Sequence, residues 1–388
     1  MKHLLLSVAG IINSKTEKPF EGIIKALQQF KKADKEREVI IISAKGSYMH
    51  LIPTELNPIK IPFTIRGSGE ALLRHLEKVM RKSLDNIIII GAKDSDMYTA
   101  KHLKAILLRA DYAAKNNPNE DIFKKDYGIP LKEVASISHF FEAFNTVENP
   151  WYCKVKVDDD TIFLALTSAN TFLDSGSSAK IKIEFREYLK NHKQDYVIPF
   201  TCYFIVAAHL MMKDLSVVDF WDIYPSSGKG SVNNDLLYFA EKASHTFGRK
   251  FQNERIFIRT ADANVRHSMS AADRIRDGCD DQFRTMVINQ FYKDKLVGKN
   301  VCIIDDFTRH GTSSETARIM LKKAGVNKIL FIAMGKFKAN ADYNKYTYRI
   351  IGDVYTGLKY KQISREIISG NLNPKANRDF IESLGKWI

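Results

Sequence analysis

At 388 residues, 45% hydrophobic and 27% charged, the chain is long enough for two packed domains and too ordinary in composition for a disordered or fibrous protein. No apolar run reaches the ~18–20 residues of a membrane span, and Cys153, Cys202, Cys279 and Cys302 lack CxxC or disulfide-framework spacing, which fits reduced thiols in a cytoplasm. A formal charge of +14 favours anionic partners such as nucleotides, phosphosugars or nucleic acid, although a lysine-rich surface gives the same balance.

The first ~110 residues alternate apolar bursts with amphipathic stretches, the rhythm of a parallel α/β layer. His3 to Ile12 reads as a core strand. Its start imitates a signal peptide, but Asn13 to Lys18 offers no small-x-small cleavage pattern. Phe20 to Lys32 places Ile23, Ile24, Leu27 and Phe30 on one helical face. Val39 to Ile42 is a buried strand, Ala71 to Lys82 a helix and Asn86 to Ile90 a third strand. A helix is expected over Met97 to Leu108.

From Asp111 to Asp160 the pattern loosens, punctuated by Pro118, Pro130 and Pro150. Ser136 to Phe144 reads as helical, and Val155 to Val157 is expected to pair with Ile162 to Leu166 around an acidic turn. The polar stretch Ser168 to Ser178 suggests a boundary, giving units 1–168 and 169–388. The second unit resumes α/β. Helices are expected over Lys180 to Lys190, Asn234 to Phe247 and Ser313 to Ala324, with strands over Val217 to Tyr224, Ile256 to Ile258, Asn300 to Ile304 and Lys328 to Met334.

Asn300 to Ala317 reads NVCIIDDFTRHGTSSETA: a buried strand, two acids, a hydroxyl-rich loop around Gly311 and a helix. Ligands of open α/β sheets bind beyond the carboxyl ends of strands, and a loop entering a helix offers free amides to a phosphate. Asp305 and Asp306 suit two ribose hydroxyls. The loop Arg309 to Ser313 suits a 5′-phosphate, with Gly311 permitting close backbone approach.

This run resembles the 5-phosphoribosyl-1-pyrophosphate motif of type I phosphoribosyltransferases, and the layout is most similar to the competence-associated ComF-type branch. Arg309 and His310 stand where that family usually has Thr or Ser. About 80 residues earlier, Asp222 to Lys229 (DIYPSSGK) looks like the family's pyrophosphate loop, and Arg259 to Arg274 resembles its mobile closing loop. The resemblance covers roughly residues 200 to 340. It implies a Mg²⁺-dependent displacement of pyrophosphate. Asp305, Asp306, Lys229 and Arg274 would act catalytically, and Ser226, Ser227, Gly228, Thr308, Arg309, His310, Gly311, Thr312 and Ser313 would bind the phosphates. Mg²⁺ would touch the two acids indirectly, through the ribose. The acceptor hood would come from Thr171 to Met212 or the tyrosine-rich tail.

The N-terminal half weakly resembles the haloacid dehalogenase-like fold. Ser43 and Lys45 follow the second strand, and Gly91 to Asp96 is similar to that family's acidic motif, with Asp94 and Asp96 as a vestigial metal site. The first strand reads Ser7-Val8-Ala9-Gly10-Ile11 where the family has a DxD pair, so the covalent nucleophile is missing. Three functional readings follow: a phosphoribosyltransferase, a non-catalytic sensor of phosphoribosyl ligands, and an effector of an anti-phage (retron-type) module that docks on nucleic acid. No membrane partner is expected; a homo-oligomer or a protein complex stays open.

Overall fold

The computed structural model describes residues 3–387 except 44–45, 62–68, 82, 85–86, 145–146, 172–175, 194–195, 212–214, 216, 265–272, 274–275 and 338–339. Two open sheets organise these residues, and the chain is α/β throughout. The first half runs through β1 (His3–Ser7), a short hairpin of β2 (Ile12–Asn13) and β3 (Lys18–Pro19), and helix α1 (Ile23–Lys32). It continues through β4 (Glu38–Ser43), β5 (Pro58–Lys60), α2 (Gly69–Met80), β6 (Ile87–Gly91) and α3 (Asp94–Leu103). It closes with β7 (Ile106–Ala110), α4 (Asp121–Lys124), β8 (Ile129–Leu131) and α5 (Ala135–Phe144).

The first sheet has the order β5-β4-β1-β6-β7-β8, parallel throughout. Strand order reverses at β1, so its crevice opens at the carboxyl ends of β1 and β6. Two elements differ from expectation. The first strand stops at Ser7 and gives way to a 3-10 turn over Val8–Gly10. The stretch expected as one helix from Met97 to Leu108 is a helix and a strand. Lys104, left-handed at φ 51°, ends α3, and β7 is buried on both faces. A short apolar run such as Ala105 to Leu108 cannot be told from a helix turn by periodicity.

The second half contains β9 (Cys153–Asp158), β10 (Thr161–Ser168), α6 (Gly176–Asn191), α7 (Val197–His209), β11 (Phe220–Ile223) and α8 (Asn234–Thr246). It goes on through β12 (Phe257–Arg259), α9 (Asp280–Thr285), β13 (Met286–Ile288), β14 (Asn300–Thr308), α10 (Thr312–Lys323) and β15 (Lys328–Lys336). The end is a long ribbon, β16 (Asp342–Asp353) and β17 (Gly357–Ser369), then β18 (Asn371–Leu372) and α11 (Pro374–Gly385). The second sheet runs β11-β14-β15-β10-β9-β18, its first four strands parallel.

The expected hairpin of β9 and β10 forms. However, both strands belong to the second sheet, so a 1–168 unit would carry two strands of that sheet. β10 pairs in parallel with β15, Thr161 opposite Ile329 through Ser168 opposite Lys336. A partner this distant in sequence leaves no local sign of which sheet a strand will join.

Helix α7 is apolar on every side and buried almost throughout, as a helix covered all round must be. It lies in one core with Leu6, Ile88 and Leu108 of the first sheet and Cys302, Ile304 and Leu330 of the second. The halves are also joined by Lys242 of α8, whose ammonium meets the Asp126 carboxylate at 2.7 Å; that carboxylate also takes Arg109 at 2.5 Å. No helix among the described residues is long and apolar enough to cross a membrane.

Candidate functional site

Strands β11 and β14 lie side by side in parallel, Asp222 opposite Ile303 and Ile223 opposite Ile304. The Tyr224 amide makes one further bond, to the Ile304 carbonyl at 2.8 Å, and the chain then turns off into residues 225–231. β14 continues beside β15 through Asp305 and Asp306 to Thr308. The DIYPSSGK loop and the paired acids, about 80 residues apart, therefore emerge at one carboxyl edge.

The 225–231 loop is braced from behind by Arg259. This buried guanidinium donates to the carbonyls of Ser226 (3.1 Å) and Pro225 (3.4 Å), to Gln282 Oε1 (3.0 Å) and to Thr285 Oγ1 (2.8 Å). The Ser227 carbonyl accepts from the Ala263 amide at 2.8 Å, and the Lys229 amide donates to Asp262 Oδ1 at 2.7 Å. Ser226, Ser227 and Gly228 are thus held in place while the Lys229 side chain faces solvent. The segment between β12 and β13 that resembles a closing loop starts here; Arg274 lies outside the described residues.

Asp305 is buried, and its Oδ1 accepts the Asp306 amide at 2.9 Å. Burial pushes its carboxyl up to about 7; the neighbouring Asp306 charge adds to the shift, and Lys190 and a Ser313 hydrogen bond oppose it. Asp306 accepts from the Phe307 amide and from the ammonium of Lys190, near the end of α6. Part of the segment expected as the hood, Thr171 to Met212, thus does reach the acids.

Beyond the acids, Thr308 Oγ1 accepts the Gly311 amide at 3.1 Å, and α10 begins at Thr312. Its first-turn amides, at Thr312 and Ser313, have no intrahelical acceptor and carry the positive end of the helix dipole. Arg309 is exposed, its guanidinium 5.6 Å from the Phe337 ring, and the His310 carbonyl accepts from Asn344. Gly311 has φ 84°, and a Cβ there would stand 2.6 Å from the Tyr343 ring. Glycine is therefore required by backbone conformation and by Tyr343, whatever lies on the loop's other side. Beneath the helix, fully buried Glu315 accepts from Tyr343 Oη (2.9 Å), the Tyr346 amide (2.8 Å) and Arg318 Nε (2.7 Å).

At the switch point of the first sheet, β1 ends in Ser7, whose hydroxyl donates to Asp96 Oδ2 at 2.7 Å. The amides of Ala92 and Lys93 meet the same oxygen at 3.0 Å each. Asp94 Oδ1 accepts the Ile122 amide at 2.8 Å, and Lys93 pairs with Glu120 at 3.0 Å. Asp96 closes the turn into α3, and Asp94 ties α3 to α4.

Sequence reasoning did not single out Lys190 or Arg259. Lys190 is one of many lysines on an amphipathic helix, and Arg259 lay inside a polar stretch whose other arginines look the same. Only the contact of Lys190 with Asp306, and of Arg259 with the carbonyls of the 225–231 loop, distinguishes them. No known protein-family profile matches the chain, and no curated protein matches it.

Proposed function

We propose that the carboxyl edge of the second sheet binds 5-phosphoribosyl-1-pyrophosphate with Mg²⁺ and transfers the phosphoribosyl group to a base- or nucleotide-type acceptor. One observation carries this reading: the 225–231 loop and the Asp305–Ser313 segment flank one another on adjacent parallel strands. Asp305 and Asp306 accept the two ribose hydroxyls. The hydroxyls and first-turn amides of the Thr308–Ser313 segment hold the 5′-phosphate. Ser226 to Lys229 receive the diphosphate, with Lys229 placing a cation against its charge.

The acids fit a cation-assisted ligand. One is buried with its carboxyl raised to about 7, and the pair shares a single ammonium, that of Lys190. Hydroxyl donors and added positive charge would stabilise both as carboxylates. Mg²⁺, when bound, neutralises diphosphate charge and so eases its departure. As the C1–oxygen bond to pyrophosphate breaks, positive charge grows on the ribose ring, and Asp305 and Asp306 stand on the side of its hydroxyls. Lys190 leaves Asp306 or shares it when the ribose arrives.

Calorimetry with 5-phosphoribosyl-1-pyrophosphate and Mg²⁺ tests binding, and pyrophosphate release with a panel of bases and nucleotides tests transfer. Absence of binding with Mg²⁺ present would overturn the reading. Binding without pyrophosphate release on any acceptor would leave a sensor.

A further inference from the structure

Between the two halves lies a cavity of about 450 Å³, within the range of small-molecule sites. Its floor is apolar: Met97 and Ala100 of α3 and Leu107 of β7. One wall is aromatic, with the rings of Tyr127 and His245 4.4 Å apart between centroids, and Phe251 also lines the space. Cations ring it, namely Lys101, Lys125, Arg249 and Lys250, against a single acid, Glu241. Two of the lining residues, His245 and Arg249, carry a nitrogen (Nδ1 and Nε) that is buried without a hydrogen-bond partner among the described residues. Buried polar atoms are normally paired, so it is unusual that two residues lining one space each hold an unpaired nitrogen.

The cations have a simpler role to be weighed first. Basic side chains complement the carbonyl ends of helices, and Lys101 sits in the last turn of α3. Lys125 is taken by Asp121 at 2.6 Å. Arg249 and Lys250, however, lie past the end of α8, whose last carbonyls already accept the Phe247, Gly248 and Arg249 amides. Arg249 Nη1 makes only a long ion pair, with Asp219 at 3.8 Å. Burial raises the carboxyl of Glu241, the one acid among the residues that line the cavity. Burial also lowers His245 to about 4, so its ring is neutral at pH 7 and offers one donor and one acceptor.

We propose that this cavity binds a nucleoside monophosphate, its base against the Tyr127–His245 wall and its phosphate at Arg249, Lys250 and Lys101. The site is distinct from the sheet edge. α8 separates them, starting just after the 225–231 loop and ending at the cavity, roughly 20 Å away at 1.5 Å per residue over its 13 residues.

The test is calorimetry on the full chain with AMP, GMP, CMP and UMP in turn, and with inorganic phosphate and adenosine as partial probes. At least one nucleotide should bind, more tightly than either partial probe. The double change Arg249→Ala with Lys250→Ala, on partly or fully exposed side chains, should weaken it at least tenfold, and Ala100→Leu should do the same by filling the floor. Asp305→Asn with Asp306→Asn should leave it within twofold, so this test stands or falls apart from that of the sheet edge. Binding by no nucleotide, equal affinity for bare phosphate, indifference to Arg249→Ala with Lys250→Ala, or loss in the double-asparagine variant would each overturn the proposal. If Ala100→Leu fails to fold, the surface pair alone decides.

Discussion

Both sheets place acids where parallel strands end, yet the two edges treat them in opposite ways. At the first edge, Asp96 meets a hydroxyl and two amides of its own turn on one oxygen, and Asp94 is spent on the α4 backbone. At the second, Asp305 accepts the Asp306 amide and a Ser313 hydrogen bond, Asp306 accepts the Phe307 amide and Lys190, and burial lifts Asp305 to about 7. An acid saturated by its own backbone is a structural cap. A pair of adjacent carboxylates with two donors each, spread over four oxygens beside a helix start, has capacity for a ligand. Position at a switch point therefore says where a ligand can bind; the hydrogen-bond count says whether anything is left to bind it.

The largest effect that could break this contrast is in ligand affinity. Asp305→Asn with Asp306→Asn keeps the shape but removes the charges. Charge-assisted bonds contribute ~1.5–3 kcal/mol each, so affinity for 5-phosphoribosyl-1-pyrophosphate with Mg²⁺ should fall on the order of a hundredfold or more by calorimetry. Unchanged affinity would reduce the signature to a structural turn. Gly311→Val is a poor companion test, since the new side chain would strike Tyr343 before any ligand.

Asp96→Asn should show the reverse profile. The amide supplies one acceptor where three donors converged, and its own N–H₂ group faces donors. A loss of roughly 1–3 kcal/mol in denaturant unfolding is expected, with phosphoribosyl-ligand affinity within twofold of wild type. Lost affinity at intact stability would merge the two edges functionally.

Much of this contrast was legible in the sequence. The run NVCIIDDFTRHGTSSETA carries its own strand, acids, loop and helix start, and the loop DIYPSSGK follows a strand that the structure places beside it. Short-range signals sufficed because each motif is contiguous. What escaped depends on distant pairing. The β10–β15 ladder puts residues 161–168 in the second sheet, and Lys190 meets Asp306 across 116 residues of sequence. Saturation of Asp96 by Ser7 joins residues 89 apart, which no local pattern announces.

The next effect concerns pH. The raised carboxyl of Asp305 binds its proton more tightly when folded, so its stabilising contribution is complete below about pH 4 and is lost as pH rises through about 7. Ligand binding needs the carboxylate and should run the other way, strengthening as pH rises through about 7, by roughly tenfold per unit at most. The phosphate of the ligand titrates near pH 6 and adds its own dependence. The Asp305→Asn variant isolates the protein's share: its affinity should lose the part of the profile centred near 7. An identical profile in that variant would assign all of the pH dependence to the ligand.

The smallest expected effect is none at all. At the first edge β1 ends in Ser7, and its hydroxyl is committed to Asp96 at 2.7 Å. A serine whose proton is donated to a buried, capping carboxylate lacks the adjacent free base that activates a nucleophile. The full chain should therefore release no phosphate from p-nitrophenyl phosphate above the buffer rate, with or without Mg²⁺. The full chain is the proper test, because the halves share a core through α7 and a 1–168 fragment would carry two strands of the wrong sheet. Hydrolysis that persists in the Asp305→Asn, Asp306→Asn variant and disappears in Ser7→Ala would place chemistry at the edge that the hydrogen-bond count leaves closed.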